Sequence, residues 1–280
     1  MAFRRPGAGF VTARWIVHLL LAALAAFALL PLIWMLSVSF MVPGEASNIP
    51  PPLLPESPTL ANYRELFERR GIGLHFFNSI VVASGVTLLS LLLNSMAGYA
   101  FAKLRFTGRD QLFKLLIGAL VIPAQVAMIP LFLLMKQLGL VNTYGGVIVP
   151  AMASIFGIFL VRQYALSLPD ELLEAARIDG ASESRIFVRI VLPLLRPVLV
   201  TLAVFTFLAT WNDFMWPLIV LSDTSVQTLP VALANLSREY VQDNELMMAG
   251  SVVTVLPVLA LFFALQRYYI EGVLMGSVKG

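Results

Sequence analysis

The stretch WIVHLLLAALAAFALLPLIWMLSVSFMVPG, residues 15–44, contains no Asp, Glu, Lys or Arg. An α-helix rises about 1.5 Å per residue, so about 20 apolar residues cross the hydrocarbon core of a bilayer. The 30 residues of this stretch are therefore enough to span a membrane. The whole chain has the same character: 59% of its 280 residues are hydrophobic and 12% are charged, against roughly 25% charged in soluble domains.

Five further stretches are equally apolar and contain one formal charge among them, that of Asp213: residues 71–102, 115–135, 137–161, 197–222 and 246–266. This pattern predicts a single all-α transmembrane domain over residues 1–280. We place six spans at about 15–39, 76–101, 112–135, 145–162, 197–221 and 247–268. Between them lie outer (periplasmic) loops at 40–75 and 222–246 and one long cytoplasmic loop at 163–196.

The basic residues indicate the orientation of these spans. If the N-terminal end is inside, 14 of the 19 Lys and Arg residues fall on the inner side. The positive-inside rule predicts such an excess at the cytoplasmic face. We therefore expect both termini in the cytoplasm and attribute the net charge of +3 to topology, so that no nucleic-acid partner is predicted.

The sequence lacks the motifs that bind phosphate or metal. It has no Gly-x-x-x-x-Gly-Lys-Ser/Thr loop for ATP, no cysteine and only two histidines, His18 and His75, which lie far apart. The spans also lack the buried ionisable residues that ion-driven pumps commonly use. We predict that the chain is not an enzyme, has no catalytic residue, metal site or cofactor of its own, and depends on a partner for energy.

The cytoplasmic loop contains a short predicted helix in the stretch LPDELLEAARIDGAS, residues 168–182. Pro169 suits a first helical position, and Gly180 suits a left-handed residue that ends the helix. From this pattern alone, the helix is either a solvated connector or a rigid lever on which a soluble partner could push.

The same loop resembles the signature loop of the permeases of binding-protein-dependent ABC importers. The matching positions are Glu174-Ala175-Ala176, Gly180, Ile190 and Leu192-Pro193. Asn62-Tyr63 and the stretch from Trp211 to Pro217 extend the likeness, most closely to the smaller, six-span permease of maltose-type transporters in the carbohydrate-uptake subclass. The resemblance implies a type I importer permease fold in a bacterial inner membrane, with a cytoplasmic coupling helix between spans four and five.

The resemblance also implies partners and roles. A second homologous permease would complete the pore, two cytoplasmic ABC ATPases would bind the ATP and Mg²⁺, and an extracytoplasmic solute-binding protein would deliver the solute. Membrane lipid surrounds the assembly. The ATPase contact would involve the following residues of this chain: Glu174, Ala175, Ala176, Asp179 and Gly180.

A second candidate site lies in the apolar spans. The possible residues of a translocation path or substrate site are Trp211, Asn212, Asp213, Trp216 and Asn94. A membrane-embedded carboxylate among aromatic and amide groups suits a sugar. The other interpretation is structural, since Trp marks membrane interfaces and Asn ties helices together. The family often has Glu where this chain has Asp213.

We predict a permease subunit that forms half of a sugar or oligosaccharide pore and works by alternating access. One alternative is an importer of glycerol-3-phosphate or another polyol derivative. A second is a membrane scaffold without a transport cycle.

Overall fold

In the computed structural model, the backbone is described for residues 8–239 and 243–277 and the side chains for residues 15–237 and 243–264. No strand occurs in these residues, and the helices are α1 (Ala8–Val38), α2 (Ala61–Arg64), α3 (Ile72–Lys103), α4 (Arg109–Ala119), α5 (Ala124–Gln137), α6 (Tyr144–Ala151), α7 (Ile155–Leu166), α8 (Asp170–Ile178), α9 (Glu183–Ile186), α10 (Leu192–Leu194), α11 (Arg196–Trp211), α12 (Met215–Val220), α13 (Leu229–Glu239) and α14 (Asn244–Ser277). Short 3₁₀ turns lie at Glu45–Ser47 and Thr224–Val226, and π-helical turns at Glu65–Arg69 and Phe187–Val191.

The chain divides into two compact units. The first consists of Met1–Gly71 with Leu236–Val255, and the second of Ile72–Asn235 with Leu256–Gly280.

The first unit is organised by buried polar side chains around the first outer loop. The amide nitrogen of Asn62, in the short helix α2, donates to the carbonyls of Ser39 and Met41 at 3.1 and 2.8 Å. The carboxylate of Glu45 accepts the backbone N–H of Glu56 at 2.7 Å, and that of Glu245 accepts the N–H of Ala46 at 2.7 Å. These bonds satisfy backbone donors and acceptors that a proline-rich loop cannot pair in a helix.

The second unit is built around α3. At Gly98 a side chain is excluded, because a Cβ would lie 2.6 Å from Val161 Cγ1 of α7, so these two helices approach closely. Small residues at a helix interface allow such an approach in membrane proteins. Polar side chains of α3 then tie neighbouring segments: Asn78 accepts from the Tyr144 hydroxyl at 2.6 Å and donates to the Gln227 carbonyl at 2.9 Å.

Three described helices are long and apolar enough to cross a membrane without interruption, and three bent helix pairs bring the possible number of spans to six. The uninterrupted helices cover Trp15–Val38, Ile72–Lys103 and Asn244–Ala264. The bent pairs are Arg109–Ala119 with Ala124–Gln137, Tyr144–Ala151 with Ile155–Leu166, and Glu183–Leu194 with Arg196–Trp211.

The bends are where the structure differs from the expected spans. The expected span 112–135 turns by 104° before Pro123, which precedes α5; proline has no N–H for a helix interior. The expected span 145–162 bends by 40° before Ser154, whose hydroxyl caps α7 by accepting from the N–H of Gly157. The expected span 197–221 ends its helix at Trp211 and resumes it at Met215.

Candidate functional site

Helix α8 is the short helix expected in the cytoplasmic loop, and its end has a defined geometry. The N–H of Ala181 donates to the carbonyl of Ala176 at 2.9 Å, and the N–H of Gly180 to that of Arg177 at 3.0 Å. This is a Schellman motif, which requires a left-handed residue; Gly180 supplies it with φ of +79°. The other end differs by one residue from the expectation, because Pro169 precedes the helix and Asp170 begins it.

The residues predicted from the sequence to contact a partner lie on α8 and on the turn that follows it, and most of them are exposed. Glu174, Ala175, Asp179 and Gly180 are exposed and Ala176 is partly buried. Leu173 anchors the helix, because its side chain is buried in a cluster with residues of α3, α7, α9 and α11. An anchored helix with an open face is available to a partner.

The first turn of α8 is tied to the last residue of α3. The ammonium of Lys103 donates to the carbonyl of Leu168 and to the carboxylate of Asp170, each at 2.6 Å. The Lys103 side chain is only 6% exposed, whereas that of Asp170 is 70% exposed. The hydrogen bond and charge of Lys103 hold the pKa of Asp170 below its ordinary value.

The end of α8 is tied to α3 through α9. Arg177 Nε donates to Glu183 Oε1 at 2.6 Å, and the hydroxyl of the buried Tyr99 donates to Glu183 Oε2 at 2.9 Å. The hydrogen bond from Glu183 raises the pKa of Arg177 above its ordinary value. We call Lys103, Asp170, Tyr99, Arg177 and Glu183 the coupling clamp, after the role that the family resemblance implies for α8. It fixes both ends of α8 to the last two turns of α3.

Sequence reasoning missed the coupling clamp. Lys103 and Tyr99 lie more than 60 residues before their partners, so no local spacing connects them. A signal was present for Lys103, because a lysine at the inner end of an apolar helix can reach carbonyls or acids at the membrane surface.

The second candidate site is a cavity of about 520 Å³ at the breaks in spans four and five. Its polar lining residues are Ser154, Thr206, Thr210 and Asp213, and its aromatic ones are Phe156 and Phe205. The hydroxyls of Thr206 and Thr210 make no hydrogen bond within the described residues. This cavity, which we call the translocation cavity after the role that the sequence predicted for Asp213, offers hydroxyl and carboxylate groups beside aromatic rings.

The structure separates the five residues expected near this site. Asp213 lines the cavity and Asn212 is exposed, with its amide donating to the carbonyl of Leu208 at 2.8 Å. Trp211 is only 1% exposed and packs on Phe76 and Phe207, with ring centroids 5.6 and 5.9 Å away.

The other two residues stabilise breaks and packing. Trp216 is 7% exposed and donates from its indole nitrogen to the carbonyl of Gly146 at 3.0 Å. Asn94 is fully buried and accepts the N–H of Ser154 at 3.1 Å, at the bend of span four. A Cβ at Gly157 would collide with the amide of Asn94, so this junction is closely packed.

Up to six apolar spans and a short polar helix that is tied at both ends are the features of a multi-pass membrane permease. The fold matches that of a bacterial ABC transporter that imports the acidic polysaccharide alginate, with a TM-score of 0.83 at 23% identity over 95% of this chain and 100% of that one. The architecture is thus the type I importer permease fold.

The chain belongs to the family of binding-protein-dependent transport system inner membrane components, whose family model matches residues 91–274. It is 42% identical over 269 residues to the arabinooligosaccharides transport system permease protein AraQ of Halalkalibacterium halodurans, covering 95% of this chain and 96% of that protein. The lactose transport system permease protein LacG of Rhizobium radiobacter is 35% identical (94% and 96% covered), and the melibiose/raffinose/stachyose import permease protein MelC of Bacillus subtilis is 34% identical (95% and 96% covered).

Family membership settles the general role. The chain is a multi-pass inner-membrane permease subunit of a binding-protein-dependent ABC importer, and it is not the catalytic component. Such a subunit works with a binding protein and an ATPase.

Proposed function

We propose that this permease forms half of a pore for a sugar or oligosaccharide. The observation that carries the proposal is the translocation cavity, which combines Asp213 and three hydroxyl side chains with two phenylalanine rings. Carboxylates and hydroxyls hydrogen-bond sugar hydroxyls, while aromatic faces cover the apolar side of a sugar ring. The relatives named for arabinooligosaccharide, lactose and melibiose transport support the same substrate class.

The charge of the cavity also argues against glycerol-3-phosphate as the substrate. None of the residues that line it is Lys or Arg, and its single charged residue is Asp213. Glycerol-3-phosphate would therefore meet a carboxylate and no cation to pair with, which is unfavourable in a poorly solvated site. A neutral sugar avoids this cost.

Coupling would occur through the open face of α8. In this proposal, Glu174, Ala175, Ala176, Asp179 and Gly180 contact one of two cytoplasmic ATPases, which bind the ATP and Mg²⁺. A helix of nine residues that is tied at both ends moves as a rigid body. The coupling clamp would thus pass movement of the ATPase to α3, which contributes Val86 to the wall of the cavity.

The proposed assembly has a second permease and a defined orientation in the membrane. A homologous second permease completes the pore, and both termini lie in the cytoplasm with the coupling helix. The excess of Lys and Arg in the inner segments supports this orientation.

The experiment begins with the cognate binding protein. A thermal-shift screen against neutral sugars and sugar phosphates identifies its ligand, and the complete transporter in proteoliposomes is then assayed for uptake of that ligand. We expect a neutral saccharide to stabilise the binding protein and to be accumulated with ATP. Stabilisation of the binding protein by glycerol-3-phosphate alone would contradict a sugar as the substrate. An intact complex without ATP-driven uptake would support the alternative of a membrane scaffold without a transport cycle.

Asp213→Asn tests the cavity itself. We expect uptake to fall about tenfold or more, because an amide replaces a charged acceptor whose hydrogen bonds contribute roughly 1.5–3 kcal/mol. The matched control is Asn212→Asp at the adjacent exposed position, which should leave uptake near the wild-type value. Equal effects of both substitutions would show that the cavity is not the path.

A further inference from the structure

A second concave surface lies away from the translocation cavity and shares none of its lining residues. This groove, of about 550 Å³, runs between α3, the Glu183–Leu194 segment and α11. Its wall is almost wholly aliphatic and includes Leu91, Leu92, Leu192, Leu199 and Val200. Its size falls within the usual range for small-molecule sites.

One charged residue stands at this groove. Arg196 lines it and is exposed, and it makes no hydrogen bond or ion pair within the described part of the chain. The five ion pairs of the described residues involve other basic side chains. A guanidinium beside an aliphatic wall favours a ligand with an anionic end and a hydrocarbon body.

The course of the chain places Arg196 at the depth of lipid headgroups. The Glu183–Leu194 segment and α11 meet at 77°, so the segment lies near the membrane plane when α11 crosses the bilayer. The segment exposes Val188 and Leu194 together with Arg185 and Arg189. A basic amphipathic helix of this kind lies in the membrane interface with its cations at the headgroups.

We propose that the groove binds an anionic phospholipid of the cytoplasmic leaflet. One acyl chain lies along Leu92, Leu199 and Val200, and the phosphate pairs with Arg196. A lipid suits both parts of the site, whereas an apolar helix of another subunit would bury Arg196 without a counter-ion, which is costly. Basic pockets between spans at the cytoplasmic side are suited to anionic headgroups.

The test uses the intact transporter in nanodiscs, with partner subunits made cysteine-free. Because this chain has no cysteine, Leu199→Cys gives one attachment point for a bimane fluorophore inside the groove. Brominated phosphatidylglycerol or brominated phosphatidylcholine is then titrated at low mole fraction. We expect phosphatidylglycerol to quench about fivefold more effectively, the preference that one interfacial arginine provides.

Two variants remove the site in different ways. Arg196→Gln should abolish the preference for phosphatidylglycerol, whereas Arg105→Gln removes the same charge from another exposed cytoplasmic position and should retain it. Val200→Phe fills the groove without changing its charge and should reduce quenching by both lipids. Co-purification of the partner subunits shows whether the Arg196→Gln complex assembles. If it does not assemble, the variant at position 200 still tests the proposal.

Four results would overturn the proposal. Equal quenching by the two lipids would mean ordinary annular lipid. No quenching by either would mean that another subunit covers the groove. Retention of the preference in Arg196→Gln, or unchanged quenching in Val200→Phe, would place the lipid elsewhere.

Discussion

The loop around α8 and the stretch from Trp211 to Pro217 each contain a residue pattern that is recognisable from sequence. The two patterns differ in whether their residues are exposed or buried. At α8 the pattern residues are mainly exposed, and residues outside the pattern hold the helix in place. At span five the aromatic pattern residues Trp211 and Trp216 are buried, and only Asp213 lines the cavity. A recurring motif can therefore mark a surface or the packing that supports one, and burial distinguishes these cases.

Trp211→Ala should have the largest effect and tests whether this tryptophan is structural. Removing a buried indole that packs on two phenylalanine rings should destabilise the subunit by about 3–5 kcal/mol. Thermal unfolding of the purified transporter measures the loss. The adjacent control Asn212→Ala removes one exposed hydrogen bond and should cost about 1 kcal/mol. Normal stability with lost substrate binding would instead make Trp211 a substrate contact.

Gly180→Val is expected to have the second largest effect, and it tests the turn that ends α8. A branched side chain at φ of +79° is strained by about 1–2 kcal/mol or more, although no atom obstructs a Cβ there. We expect ATPase association and uptake to fall while ligand affinity of the binding protein stays constant. Gly180→Asn is the control, because Asn tolerates the left-handed region. Unchanged uptake and assembly in the valine variant would refute the coupling role of this turn.

Tyr99→Phe should have a smaller effect and tests the coupling clamp directly. It removes one hydroxyl and leaves Glu183 paired with Arg177, so the expected cost is about 1 kcal/mol. The expected readout is weaker stimulation of ATPase activity by the loaded binding protein. Tyr164→Phe is a matched control, since Tyr164 packs on the same cluster and its hydroxyl makes no hydrogen bond within the described residues. Equal effects would show that the clamp is dispensable.

Asp170→Asn is expected to be the smallest perturbation, because the carboxylate is exposed. Since Lys103 lowers the pKa of Asp170, the stabilising contribution is complete above the ordinary value of 3.8 and is lost as pH falls through the lower folded value. The melting temperatures of wild type and variant should therefore differ constantly between about pH 5 and 7 and converge at more acidic pH. A gap that widens on acidification would contradict this pairing.

Much of helix α8 was predictable because its signals are local. Acidic residues after Pro169 and a glycine at position 180 define the ends of a short helix whatever surrounds it. The bends in spans three, four and five were not predicted, although Pro123 and Ser154 mark two of them. A run of apolar residues shows that a segment can cross the membrane and gives no information about its straightness.

The sequence by itself determined that this protein crosses the membrane several times, which loop carries the short helix α8 and to which family the chain belongs. The first two conclusions rest on segment length, charge distribution and short spacings, and the third on the likeness of the chain to the family, which extends over residues 91–274. Only the tertiary structure decided that Trp211 and Asn94 are internal, that Asp213 lines a cavity and that Lys103 and Tyr99 hold α8. The physical reason is that a helix that is apolar all around has no sequence signal for which side is packed, so the long-range contacts of α3 decide it.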